Sequence, residues 1–284
     1  MVSPEHKRRA VTWVVEAGLC SLRRACRYLG LSRSSYFYPS KRRGGYEALL
    51  VERVKELSKA ESTYGYRFIA ALLWREGWRV NRKKVQRIRR AEGLRCAPTP
   101  KKPRKRGASS VDPPVAAEAP NDVWSWDFVF DTTEDGKTIK ILSVVDEFSR
   151  FCIDLNAGRR IDSKRVLAAF DRACKRYGYP RCIRTDNGPE FISELIREWI
   201  RARRIGCVFI EPGSPWQNPH VESFHSRFRN DCLNREWFIN ELDARAIIAD
   251  WRDKYNDRRP HSGLDYRSPS EIYLGKRPGS GRAT

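Results

Sequence analysis

Val123-Trp-Ser-Trp-Asp-Phe-Val-Phe130 alternates with the period of an extended strand. Trp124, Trp126, Phe128 and Phe130 fall on one face, and Ser125, Asp127 and Val129 on the other. An aspartate in the middle of such a strand is not there for solubility. Working outward, Gly136 turns the chain into Ile139-Lys-Ile-Leu-Ser-Val-Val145, a near-continuous apolar run, and Phe151–Leu155 supplies a third strand. Three antiparallel strands therefore come first. Ser163 is placed to cap a helix that runs to Tyr177, a strand follows at Cys182–Arg184, a helix from about Ser193 to Arg203, and a strand at Cys207–Ile210. Strands first, then helix and strand in alternation, predict a mixed α/β sheet with helices on both faces.

Two further carboxylates stand at marked places. Asp186 lies in Thr185-Asp-Asn-Gly-Pro-Glu-Phe191, where an apolar run ends in a Gly/Pro turn. Glu222 opens a helical pattern just after the Pro/Gly-rich stretch Pro212-Gly-Ser-Pro-Trp-Gln-Asn-Pro219. In that helix Val221, Phe224, Phe228 and Cys232 form an inward stripe, and Arg229 follows Glu222 by two turns. Between Asp127 and Asp186 there are 58 residues, and between Asp186 and Glu222 there are 35. Three acids drawn together repel one another unless something positive lies between them. Hard oxygen donors with room for water suit Mg²⁺ or Mn²⁺, and two such ions ~3.5–4 Å apart can clamp the attacking and leaving oxygens of a phosphodiester displacement. Asp131, Asp146, Asp154 and Glu190 are rivals by composition, with Asp146 the strongest, although Ser149 and Arg150 could satisfy it structurally. The Trp216-Gln217-Asn218 segment reads as a loop over the metal site, with an aromatic ring able to stack on a splayed base or, alternatively, to pack on the core.

Charge divides the chain. Of the net +21, residues 1–106 hold +20 (28 Lys/Arg against 8 Asp/Glu) and the remaining residues +1 (28 against 27). So one-sided an excess is a nucleic-acid footprint. Within it, residues 9–17, Leu22–Leu29 and a segment from Ser32 through Arg33 to Tyr38 read as helices separated by Gly18 and Gly30, a helix-turn-helix pattern. The pattern then recurs. Tyr46–Ala60 is amphipathic, Arg67–Glu76 follows, and Asn81 caps Arg82-Lys-Lys-Val-Gln-Arg-Ile-Arg-Arg-Ala-Glu92. In that last helix Val85, Ile88 and Ala91 are the apolar positions. The basic residues, Arg82, Lys83, Lys84 and Arg87 among them, are expected on an outer face suited to phosphates and base edges. Prolines and a basic run make Ala97–Pro120 a linker. The eight cysteines form no Cys-x-x-Cys pair, and Cys152, Cys174, Cys207 and Cys232 read as core thiols. No apolar run reaches the ~18 residues of a membrane span. Core thiols of this kind point to a reducing compartment, and the expected location is the cytoplasm.

Trp-Ser-Trp-Asp127-Phe, Val-Val-Asp-Glu-Phe-Ser-Arg150, Thr-Asp186-Asn-Gly-Pro-Glu-Phe and Pro-Trp-Gln-Asn-Pro-His-Val-Glu222-Ser-Phe together resemble the integrase catalytic core. The likeness extends to Asp250-Trp-Arg-Asp-Lys-Tyr-Asn256 and Arg259-Pro-His-Ser-Gly-Leu264, and is greatest to the second-frame product of IS-three-type insertion-sequence transposases. It implies an RNase H-like catalytic domain at 121–275. Ahead of it would stand an all-α helix-turn-helix region at 1–45 and 46–97 and a linker at 98–120, with a disordered tail at 276–284 beyond. It further implies a DDE recombinase that cuts and joins DNA with two Mg²⁺ ions. Asp127, Asp186 and Glu222 would be the metal-binding triad and Arg229 a DNA contact. Duplex DNA, further copies of the chain and an upstream-frame fusion protein are the implied partners. This sequence departs from the family pattern at Pro219-His220, where a small-aromatic pair is more usual. The same holds at His225-Ser226, in place of Asn-Gly, and at Asn230-Asp231, in place of Asp-Glu. The rival readings are a catalytically silent helix-turn-helix regulator and a nuclease acting on RNA–DNA hybrids.

Overall fold

A computed structural model describes residues 4–37, 44–96, 116–210 and 218–275. The chain divides into two compact units, Met1–Arg53 and Val54–Thr284. In the first, α1 (Pro4–Glu16), α2 (Leu22–Tyr28) and α3 (Arg33–Phe37) are joined through Gly18 and Gly30. Both glycines have positive φ, +67° and +59°, which a side chain would resist. Val11, Ala25, Cys26 and Leu31 form the core of these helices. The division falls inside α4 (Gly44–Ala60).

The second unit opens with the end of α4, then α5 (Tyr66–Arg75) and α6 (Arg82–Ala91). Asn81 caps α6 as expected, its Oδ1 accepting from Lys83 N at 2.8 Å. One basic residue of α6 is not on the outer face. Arg89 is buried and donates to the carbonyls of Tyr64 and Leu94, because position 89 lies four residues after Val85 and joins the inward stripe. Ala91, expected to point inward, is exposed.

The sheet has the order β3-β2-β1-β4-β5. β1 (Val123–Thr132), β2 (Thr138–Asp146) and β3 (Cys152–Gly158) are antiparallel, whereas β4 (Cys182–Thr185) and β5 (Gly206–Phe209) continue from β1 in parallel. α7 (Ser163–Tyr177) and α8 (Glu194–Ala202) make the crossovers. α9 (Pro219–Phe228), a π-helical turn (Arg229–Leu233), α10 (Glu241–Asp257) and α11 (Pro269–Tyr273) complete the unit. This is the mixed sheet that the strand pattern predicted, in the RNase H-like arrangement that the resemblance implied. Each face of it carries a core. Trp124 and Trp126 pack with Phe170 and Trp199 on the α7–α8 side. On the other side Val129, Ile139 and Ile141 meet Phe224, Phe228, Ile248 and Tyr255 of α9 and α10. Phe130 ends its stripe early, 52% exposed near the strand terminus. The α7 cap is Asp162 rather than Ser163, with its carboxylate accepting from Arg165 N at 2.9 Å. All eight cysteines are free.

A contact that local sequence patterns do not announce joins α5 to the end of the chain. Arg75 pairs with Glu271 at 2.6 Å and donates to the carbonyls of Arg258 (3.1 Å) and Tyr266 (3.2 Å). Phe68 meets the Tyr266 ring edge-on, and the Arg259 guanidinium lies over Tyr64 and Phe68. No described helix is long and apolar enough to cross a membrane.

Candidate active site

Asp127 sits mid-β1, opposite Ser143 of β2, with its Oδ1 accepting from the Phe128 amide at 2.7 Å. Its carboxyl is pushed up to about 6, first by burial. The Phe128 hydrogen bond opposes that rise, and the negative charges of Asp186 and Glu222 add to it. Two elements far away in sequence thus bring their acids within electrostatic reach of Asp127. Asp186 follows the last residue of β4 and is exposed, its Oδ1 accepting from Gly188 N at 3.0 Å. Gly188 sits close beneath it, where a Cβ would stand 3.0 Å from that oxygen and 3.3 Å from the Phe191 ring, tight for both neighbours. Glu222 lies exposed in the first turn of α9, which Val221, Phe224 and Phe228 fasten to the sheet.

The charges acting on Asp127 are both negative. Three carboxylates so placed fit a hard divalent cation by donor chemistry. Among the described residues no three His, Cys, Asp or Glu side chains yet converge at coordination distance. His225 Nδ1 lies 3.5 Å from Asp127 Oδ2. His225 Nε2 meets Ser143 Oγ at 2.7 Å, and the imidazole is held down to about 4 by burial and then by the charge of Arg229.

The rival acids are otherwise engaged. Asp146 is fully buried and accepts from Asn121 N, Ser149 N (both 2.8 Å) and Ser149 Oγ, so Ser149 and Asn121 satisfy it. Glu190 pairs with Lys140, Asp154 lies 3.8 Å from Arg252, and Asp131 accepts from Thr132 N. Sequence reasoning overlooked a buried group beneath the site. Ser125 and Arg184 are register partners on β1 and β4, and both meet the Glu147 carboxylate: Ser125 Oγ donates to it and Arg184 Nε stands 3.4 Å away. Each lies two residues before an acid, Asp127 or Asp186, on the side of the strand that faces the same way. An arginine inside the apolar run Cys182-Ile-Arg-Thr185 was the available signal.

The nine residues expected to meet DNA are placed variously. Arg33 at the head of α3, Lys83 and Arg87 on α6, and Arg229 after α9 are exposed. Arg82 lies over the rings of Trp74 and Tyr266, and Lys84 is half-buried. Asn218 is buried at the start of α9, its Oδ1 without a hydrogen-bond partner among the described residues. Trp216 and Gln217 lie outside the described residues, as do most of the expected linker and the tail.

Known families and proteins resemble this chain in sequence. An integrase core domain family matches residues 117–215, another integrase core domain family matches 203–269, and an HTH-like domain matches 46–103. The chain is 42% identical to an uncharacterized 31.7 kDa protein of insertion element IS407 from Burkholderia multivorans. That match covers 89% of this chain and 90% of the relative. It is 29% identical to the transposase for insertion sequence element IS904 from Lactococcus lactis, over 82% of this chain and 96% of that one. Among solved structures, the HTLV-2 integrase catalytic core domain in complex with magnesium covers 55% of this chain and 98% of its own, at 21% identity and a TM-score of 0.42.

Proposed function

The chain belongs to the IS-three-type insertion-sequence transposases with an integrase core and an HTH-like domain, and from that premise we propose that Asp127, Asp186 and Glu222 are its catalytic, metal-binding acids. It is a DNA transposase, a DDE-type polynucleotidyl transferase. The observation that supports the residue assignment is the placement of Asp127, half-way along β1, where its carboxyl is raised first by burial and then by the charges of Asp186 and Glu222. Groups from β1, from the end of β4 and from α9 share one electrostatic site, at the spacing of 58 and 35 intervening residues.

A divalent ion bound there, Mg²⁺ or Mn²⁺, and two of them where both oxygens are clamped, would offset the three negative charges and stabilise the charge developing on phosphodiester oxygens. The chain's own part is positional. β1 fixes Asp127 against Ser143, the turn after β4 presents Asp186, and the apolar stripe of α9 seats Glu222's helix over β1 and β2. In cleavage, a water oxygen bonds to phosphorus as one P–O bond of the strand breaks and frees a 3′-hydroxyl. In joining, that hydroxyl oxygen bonds to a target phosphorus as a target P–O bond breaks. The bond count is conserved in both steps.

Exposure supports Arg33, Lys83, Arg87 and Arg229 as contacts to DNA phosphates. The reading keeps the proposed organisation of two helix-turn-helix regions, 1–45 and 46–97, ahead of a catalytic domain at 121–275. It includes assembly of several copies on DNA, an upstream-frame fusion partner and a place in the bacterial cytoplasm. Strand joining on DNA carrying the element ends tests it. Chelation should abolish joining and added Mg²⁺ should restore it. Undiminished joining in chelator would contradict the metal-binding role.

A further inference from the structure

The helix that carries Glu222 has a second polar flank. Glu222 and His225 lie on one side of α9, with His225 beside Asp127, whereas His220, Ser223 and Arg227 recur at helical spacing on another. That second flank borders a cavity of about 340 Å³, closed by Val145 of β2, Phe68 of α5 and the chain from residue 259 to 263 that follows α10. Three arginines line it, Arg150, Arg227 and Arg259, and among the described residues no carboxylate does. Arg259 is matched by its ion pair with Asp231. Arg150 is half-buried and has no such match: it donates to the Glu147 carbonyl and meets His220 Nδ1. The acids next to it in sequence are engaged elsewhere, Asp146 with Asn121 and Ser149, and Glu147 with Ser125 and Arg184. A cation taken out of water without a counter-charge is costly, so this one is poised for an anion.

The surroundings agree. The imidazole of His261, which also lines the cavity, is held down first by burial and then by the charges of Arg259, Arg227, Arg150 and Arg75. Its Nε2 is buried without a hydrogen-bond partner among the described residues. Phe68, Phe224 and Tyr255 add apolar walls, and low-dielectric walls focus the field of a cleft lined by one sign of charge. Guanidinium groups match phosphate oxygens in shape as well as charge, and the Ser223 and Ser262 hydroxyls can donate too. Position indicates whose phosphate it is. Val145 lies two residues along β2 from Ser143, the residue opposite Asp127, a distance of roughly 7 Å. A DNA strand rises by that much in about two nucleotides. We propose that this cavity holds a phosphate of the DNA strand close to the bond being cut, gripped by Arg150 and Arg227. The two flanks of α9 then serve one strand, Glu222 at the reacting phosphate and Arg227 at a neighbouring one. The proposal rests on the reading of Asp127, Asp186 and Glu222 as the place of cutting.

The test is binding of the full-length protein, in chelator so that nothing is cut, to duplexes carrying the element end in which single phosphates are replaced by uncharged methylphosphonates. The unaltered protein should bind about 10-fold or more weakly when one phosphate within about three nucleotides of the cleaved bond is neutralised. Arg227 is exposed, so Arg227→Gln should keep its melting temperature; it should bind the unmodified duplex more weakly and lose its sensitivity at that phosphate alone. Arg227→Lys should retain part of that sensitivity. An Arg227→Gln protein as sensitive as the unaltered one at every position overturns the proposal. So does a loss spread evenly over all positions, which is the mark of a general basic field. Inorganic phosphate that raises the melting temperature through Arg227, with no DNA position affected, assigns the cavity to a free anion and overturns it as well. The two readings fail separately, because cleavage surviving in Asp127→Asn overturns the acids whatever the phosphate pattern shows.

Discussion

Arg184→Met removes the buried cation that stands between the strands carrying Asp127 and Asp186. Arg184 is 1% exposed and Glu147 2%, so the substitution leaves a carboxylate with little access to water. Breaking a buried pair from one side costs about 3–5 kcal/mol, whereas replacing both partners with apolar groups of similar size is often neutral. Glu147 is already raised by burial, while Ser125 and Arg184 hold it down. Without Arg184 it rises further. A group whose folded pKa lies above its unfolded value contributes stability at low pH that is lost as pH climbs through the folded value. The Arg184→Met penalty should therefore be largest near pH 8 and shrink towards pH 5, where the folded protein can keep Glu147 protonated. Glu147→Gln leaves a guanidinium that cannot shed its charge, and its penalty should hardly change with pH. Urea unfolding followed by tryptophan fluorescence, with Trp124 and Trp126 nearby, would measure Arg184→Met, Glu147→Leu and their double variant, with Glu147→Gln as the isosteric control. Because Ser125 and Arg184 are register partners, strand joining should fall by about 100-fold or more in the single variants, the scale of a ~1 Å misplacement. A pH-independent Arg184→Met penalty below about 1 kcal/mol, or a double variant as unstable as the two single variants summed, would refute the idea that this pair registers the strands.

Phe224→Ala should destabilise the protein by about 3–5 kcal/mol, since the ring is buried against Trp251 and Tyr255; denaturant titration reads this out, and a loss under about 1 kcal/mol would mean that α9 is held otherwise. His261 is held down to about 3 by burial and then by Arg259, Arg227, Arg150 and Arg75. Its stabilising contribution is present above the unfolded value of ~6.5 and is lost as pH falls towards the folded one. His261→Gln should accordingly flatten the acid side of the melting-temperature profile, and a profile of unchanged slope would rule out this contribution. A fragment starting at Gly44 should melt as the whole second unit does. One starting at Asn121 should melt lower, because Arg259, Tyr266 and Glu271 lose Tyr64, Phe68 and Arg75. Equal melting temperatures would show that this contact adds nothing.

The strands were legible because alternation along Val123–Phe130 and the apolar run after Gly136 are local signals, and each strand buries a face those signals describe. The α9 stripe and the Asn81 cap were legible for the same reason. What escaped notice depends on partners far along the chain. Arg75 meets Glu271 across a separation of 196 residues, and nothing near either residue marks the pairing. Glu147 and Arg184 look like surface charges until β1 and β4 lie side by side. His225 stood out in sequence as a departure from a family pattern, but its bond to Ser143 exists only once α9 lies on β2. Arg89 departs from its pattern for a different reason. A basic residue on an exposed helix is expected to face water, yet two backbone carbonyls sit within its reach. The three proposed acids stand out in the sequence by their flanking residues, whereas the reach of Asp186 and Glu222 to Asp127 is a property of the folded sheet.

The central claim is that Asp127, Asp186 and Glu222 act as one site in cutting and joining DNA. Its most direct test is strand cleavage and joining by Asp127→Asn, Asp186→Asn and Glu222→Gln, each of which removes one ligand charge with little change of volume. Each variant should lose both steps while keeping its melting temperature and DNA affinity. Substantial cleavage by any one of the three would remove that residue from the site.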